Sequence, residues 1–135
     1  MGIMNTKLIK VWIRNPGEVI EKVSLAHNAD FQVVVDVRAG YAPFALGSAY
    51  VTGIVIRDLT AGNVIATNPA APISGAMGDA NWPAQANQFV YTVPAANLGS
   101  AVAYHLCQVV AFLSVGVVDP DVSFGTSPMF IARNP

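Results

Sequence analysis

Apolar and polar residues alternate with a period of two along most of this chain, the spacing of a β-strand rather than a helix. Residues 31–38, FQVVVDVR, show it most cleanly: Phe31, Val33, Val35 and Val37 form one row, with Gln32, Asp36 and Arg38 opposite alongside Val34. Residues 102–114 are the longest such stretch. One row holds Tyr104, Leu106, Gln108, Val110 and Phe112, and the other His105, Cys107, Val109, Ala111 and Leu113. A half-solvated strand shows one polar row. Neither row here is polar, so both faces of this strand are expected to be covered.

The rest of the pattern predicts short strands separated by turn residues. Residues 8–13, LIKVWI, end at Asn15-Pro16-Gly17, a strong turn signal. Residues 19–25 are rich in Val and Ile and follow no helix cap, so they read as a strand. Residues 40–47 form an irregular connection with two aromatics, and residues 50–58 and 64–67 a hairpin with Gly62-Asn63 in its turn. Residues 68–87 are rich in Ala, Pro, Gly, Asn and Ser and show no strand pattern, which predicts a long irregular loop. Residues 88–93 are a strand, 94–100 a corner, and 122–132 a last strand. Pro128 lies inside that strand and places it at an edge or a bulge. Seven or eight strands without an amphipathic helix predict an all-β fold, an antiparallel β-sandwich in a single domain spanning 1–135.

The corner carries a resemblance. Phe89, Tyr91 and Val93 alternate, Leu98 follows, and Tyr104 comes six residues later. This resembles the E–F corner of fibronectin type III and immunoglobulin-like domains. The resemblance implies an immunoglobulin-like sandwich in which Leu98 plugs the core and the Tyr104 hydroxyl ties the corner to backbone upstream. Trp12 on the first strand and the absence of a cysteine pair depart from the family pattern. The fold hosts many functions, so the resemblance assigns none.

Composition adds an expectation about surfaces. Only 11% of the 135 residues are charged while 53% are hydrophobic, against about 25% charged in an average soluble domain. So few charges leave apolar surface for a partner. The formal net charge is -1 with the charges scattered singly, which argues against nucleic acid. No apolar run reaches the length of about 20 residues that a membrane helix needs. No signal-peptide pattern is visible, and the default expectation is cytoplasmic.

Chemistry-bearing residues are sparse. The single cysteine, Cys107, allows no internal disulfide and reads as a small buried hydrophobe. His105 shares its row, but a zinc site needs three or four converging ligands. His105 is therefore expected to be a packed or interface residue, and no metal or other cofactor is expected. Asp119-Pro120-Asp121 reads as turn residues, since Asp and Pro are preferred there and calcium takes six to eight oxygens. No nucleophile elbow or phosphate loop appears, and no enzyme is expected. Two functions remain. One is self-association into a homo-oligomer through the row His105, Cys107, Val109, Ala111 and Leu113. The other is binding of a glycan or small apolar ligand by Trp82, Tyr41, Phe44 and Tyr50, unless Trp82 folds back to plug an open end of the sandwich.

Overall fold

The computed structural model describes residues 6–67, 71–99, 102–117 and 120–134. Over these residues the chain is all-β, its strands gathered into two sheets. The strands are β1 (Lys7–Arg14), β2 (Ser24–Ala26), β3 (Phe31–Arg38), β4 (Ala49–Asp58), β5 (Asn63–Thr67), β6 (Ile73–Ala76), β7 (Ala86–Val93), β8 (Leu106–Val115), β9 (Asp121–Thr126) and β10 (Phe130–Arg133). One short helix, α1 (Tyr41–Ala45), occupies the connection expected to be irregular, and Ala95–Asn97 make a 3-10 turn at the corner.

The smaller sheet is antiparallel, in the order β1-β3-β7. The central strand β3 buries Phe31, Val33, Val35 and Val37, the row read from the alternation, and buries Val34 as well. Val34 lies between Trp12 and Val90 on the neighbouring strands. The indole N–H of Trp12 donates to Asp36 at 3.0 Å, and Lys10 and Arg14 flank the ring at 5.9 and 5.8 Å from its centroid. Tryptophan on the outer face thus roofs a valine that alternation placed among polar residues.

The larger sheet is built on β4 and β8, antiparallel along nearly their whole length. β5 and β6 share the far side of β4, β9 and β10 share the far side of β8, and β2 joins β10 in parallel. The β4–β5 hairpin turns at Gly62, whose φ of 76° suits glycine. β8 starts at Leu106 rather than at 102. His105 N–H donates to Val102 O at 2.9 Å, and Tyr104 adopts a left-handed φ of 63°, so residues 102–105 turn instead of extending.

Three other expectations change. Of residues 19–25 only Ser24 and Leu25 fall in a strand, and Val19, Ile20 and Val23 are exposed. Lys22 N–H donates to Ile13 O and Lys10 pairs with Glu21, which loops this segment beside β1 instead of laying it in a sheet. Residues 68–87 contain β6 and the start of β7. Residues 122–132 divide into β9 and β10 around Pro128, where Ser127 Oγ accepts from Val109 N–H at 3.0 Å. These divisions give ten strands among the described residues in place of seven or eight.

The two sheets share one core. Tyr50, Trp82 and Phe89 cluster with centroids 5.0 to 5.6 Å apart, and Phe31 meets Phe130 at 6.0 Å. The buried Tyr91 hydroxyl on β7 donates to Thr52 O on β4 at 2.7 Å, joining the sheets. At one edge β9 lies so close to β1 that a side chain on Gly125 would collide with Leu8 and Val11.

Candidate interface

The alternation of β4 and β8 produces two different faces. Inward, Tyr50, Thr52, Ile54 and Ile56 stand beside Val115, Leu113, Ala111 and Val109, all buried in the chain's own core. Outward, Val51, Gly53, Val55 and Arg57 stand beside Ser114, Phe112, Val110 and Gln108. β9 extends the outer face, because Val122 pairs with Ser114, Phe124 with Phe112 and Thr126 with Val110. Phe124 is 71% exposed, and Val51 and Val122 are exposed beside it. Arg57 carries the one charge among these positions. Strands about 4.8 Å apart and residues about 3.3 Å apart along them give this patch roughly 400 Å². That is the scale of the largest patch a monomer ordinarily exposes, and such patches are often functional.

The row expected to meet a partner is therefore corrected. Cys107, Val109, Ala111 and Leu113 are fully buried within the chain, because the smaller sheet already covers them. His105 precedes β8 and is half-buried. The open apolar face belongs to the opposite row. Phe124 and Val122 went unnoticed in the sequence, although their alternation with the small residues Ser123 and Gly125 marks one large and one slender side of β9.

The expected ligand-binding aromatics do not converge on solvent. Trp82 and Tyr50 are buried against each other, and Trp82 plugs the core. Phe44 packs partly against the same cluster, and Tyr41 alone projects, 78% exposed. Leu98 is buried. Tyr104 is 68% exposed, so its side chain stands off the corner. Tyr91 is the tyrosine that ties the two sheets.

Two carboxylates have structural partners. Asp58 ends β4, and its Oδ2 meets His105 Nδ1 at 2.6 Å while its Oδ1 accepts from Ala61 N–H at 3.0 Å. Burial opposes its ionisation, but the His105 hydrogen bond and the turn N–H groups of Ala61 and Thr60 hold its pKa below the usual carboxylate value. Next to it Cys107 is inert, since burial and then the Asp58 charge push its thiol up to about 11. Asp79 closes the turn after β6. It accepts from the N–H groups of Trp82, Asn81 and Ala76 and from the Tyr50 hydroxyl. Among the described residues no three His, Cys, Asp or Glu side chains gather as metal ligands. Asp119 lies outside the described residues, and Asp121 is exposed at the start of β9.

No family model and no curated protein matches the chain. Among the described residues no helix is long and apolar enough to cross a membrane.

Proposed function

We propose that this chain is a non-enzymatic interaction module of immunoglobulin-like β-sandwich build that self-associates through the outer face of its larger sheet. The observation carrying this reading is the apolar patch of Val51, Val55, Val110, Phe112, Val122 and Phe124, with Arg57 as its single charge. A second copy supplies the same apolar surface, and a two-fold contact between identical patches is the commonest closed arrangement. Two sheets over one core and the buried Leu98 support the sandwich part of the reading.

The non-enzymatic part rests on the ionisable pair beside the cysteine. Asp58 and His105 face a thiol that burial keeps protonated, so the arrangement lacks an activated nucleophile. The pair instead anchors the β4–β5 turn to the start of β8, where Leu106 N–H donates to Thr60 Oγ1 at 2.8 Å.

The patch is about half of the roughly 800 Å² per partner that a standard interface buries. Association is accordingly expected in the micromolar range or weaker. Sedimentation equilibrium from micromolar to near-millimolar chain should show a mass rising above 14.2 kDa with concentration. A mass constant at 14.2 kDa over that range would overturn the reading.

A further inference from the structure

On the other sheet, at the end where β1 begins and β3 finishes, two adjoining clefts of about 370 and 720 Å³ share Ile9 and Arg38 in their walls. Both volumes fall within the range of about 300–1,000 Å³ usual for small-ligand sites. We propose that this groove binds an anionic saccharide, holding its acid group between Lys7 and Arg38 and its ring against Tyr41 and Ile9. The site is independent of the self-association face, because it lies on the opposite sheet.

The first ground is charge. Lys7 and Arg38 are directly opposed register partners, and like charges so placed repel. Among the described residues neither forms a salt bridge. The nearest acid along β3 is Asp36, which lines the larger cleft but accepts from the Trp12 indole, so the acid group is placed at the smaller cleft between Lys7 and Arg38. Residues 1–5 carry no acid. An acid group between the two cations relieves their repulsion, and the arginine fork meets a carboxylate or sulfate with two parallel hydrogen bonds.

The second ground is backbone shape. The β1–β3 pairing shifts register between Leu8 and Lys10, so Ile9 sits in a bulge and stands exposed where the two clefts meet. Bulges re-aim side chains in this way beside functional sites. Tyr41, at the start of α1, adds an exposed aromatic ring to the wall that holds Lys7 and Arg38.

The third ground is the polar rim. Gln85 Nε2 donates to Ala39 O at 3.2 Å and Asn87 Nδ2 to Asn81 O at 2.6 Å. These bonds fix both amides and leave their side-chain oxygens as acceptors for sugar hydroxyls. Apolar faces, fixed acceptors and paired cations together select a hydroxylated ring bearing an acid. The basic surface is too small for a nucleic-acid backbone.

Calorimetric titration tests the proposal with four probes: oligogalacturonate for a carboxylate, a heparin-derived hexasaccharide for a sulfate, cellohexaose as a neutral sugar, and inorganic sulfate as a free anion. At least one acidic oligosaccharide should bind, and which one identifies the acid. Arg38→Gln, Lys7→Gln and Tyr41→Ala should each weaken binding about tenfold or more. Lys22→Gln, a change outside the groove, should leave it unaltered. All four positions are exposed or half-buried, and unchanged circular dichroism would establish that each variant folds. The proposal falls if neither acidic probe binds, if cellohexaose or inorganic sulfate binds as tightly, or if both Arg38→Gln and Lys7→Gln bind like the parent chain.

Discussion

Asp79 has four donors aimed at it, one of them the Tyr50 hydroxyl, which depends on it in return. Burial disfavours its charge, yet the N–H of Trp82, the hydroxyl of Tyr50 and the N–H groups of Ala76 and Asn81 hold its pKa below the usual carboxylate value. Its stabilising contribution is thus present above the ordinary carboxylate range and is lost as pH falls through the lowered value. Tyr50 shows the opposite sign: burial, then the Asp79 hydrogen bond, push its phenol up from 10.0 to about 12. Its contribution is complete below about pH 10 and disappears as pH rises towards 12. Denaturation midpoints across pH should fall at both ends. Asp79→Asn should lower the plateau and flatten the acid limb, and Tyr50→Phe should reduce the alkaline loss between pH 10 and 12, leaving the share of Tyr91, whose phenol burial also pushes up. The Cys107 loss, which begins near pH 9 because that thiol also titrates high, should survive Tyr50→Phe. A thiol reagent at pH 8 should label native Cys107 only as fast as the chain unfolds, since the residue is fully buried. At this scale the sequence was legible in part. Cys107, read both as a small buried hydrophobe and as part of an interface row, is fully buried in the chain's own core, and Leu98 is buried too. Tyr104 was illegible, because its left-handed backbone, set by the 102–105 turn, sends the ring outward.

Strands were legible where local pattern and pairing agree. β3 and the β4–β5 hairpin have alternation, β-branched residues and a glycine turn all pointing one way. β6 did not show, since four residues with a central glycine carry no period, and its existence depends on pairing with β4. The segment 19–25 misled for the reverse reason: its Val and Ile content favours a strand throughout, but the tethers of Glu21 and Lys22 to β1 keep its first part out of the sheet, and only Ser24 and Leu25 pair, with β10. The break between β9 and β10 was marked by Pro128, and the structure shows what replaces the missing ladder. Ser127 Oγ accepts from Val109 N–H at 3.0 Å, shielded from water, and donates to Pro128 O at 2.9 Å at the exposed Pro128. Ser127→Ala leaves the buried Val109 N–H unpaired and should cost about 1–3 kcal/mol in urea unfolding. The contact of β9 with β1 is equally testable. Gly125→Ala drives a methyl into Leu8 and Val11, and overpacking of this kind costs about 1–3 kcal/mol. A Gly125→Ala chain as stable as the parent would mean that β1 and β9 separate more freely than their packing indicates.

At the scale of the molecule the sequence disclosed that β8 is apolar on both sides, and it could not disclose which side faces inward. Both rows alternate correctly, and only the position of the smaller sheet decides. That position follows from long-range pairing of β3 with β1 and β7, with Tyr91 reaching Thr52 across the core. The two rows differ in consequence. Val109→Asp places a carboxylate among Ile56, Ala111 and the second sheet with no cation facing it, at a cost of about 3–5 kcal/mol. Such a loss is comparable with the whole stability of many domains, so Val109→Asp should unfold or fail to accumulate. Phe124→Asp and Val51→Lys place charge on the open face, where water already reaches. Their thermal midpoints should stay within a few degrees of the parent, while sedimentation returns the single-chain mass at every concentration. Comparing the variants separates fold from assembly. Retained self-association in Phe124→Asp and Val51→Lys together would move the interface off this face, and a folded Val109→Asp would displace the core.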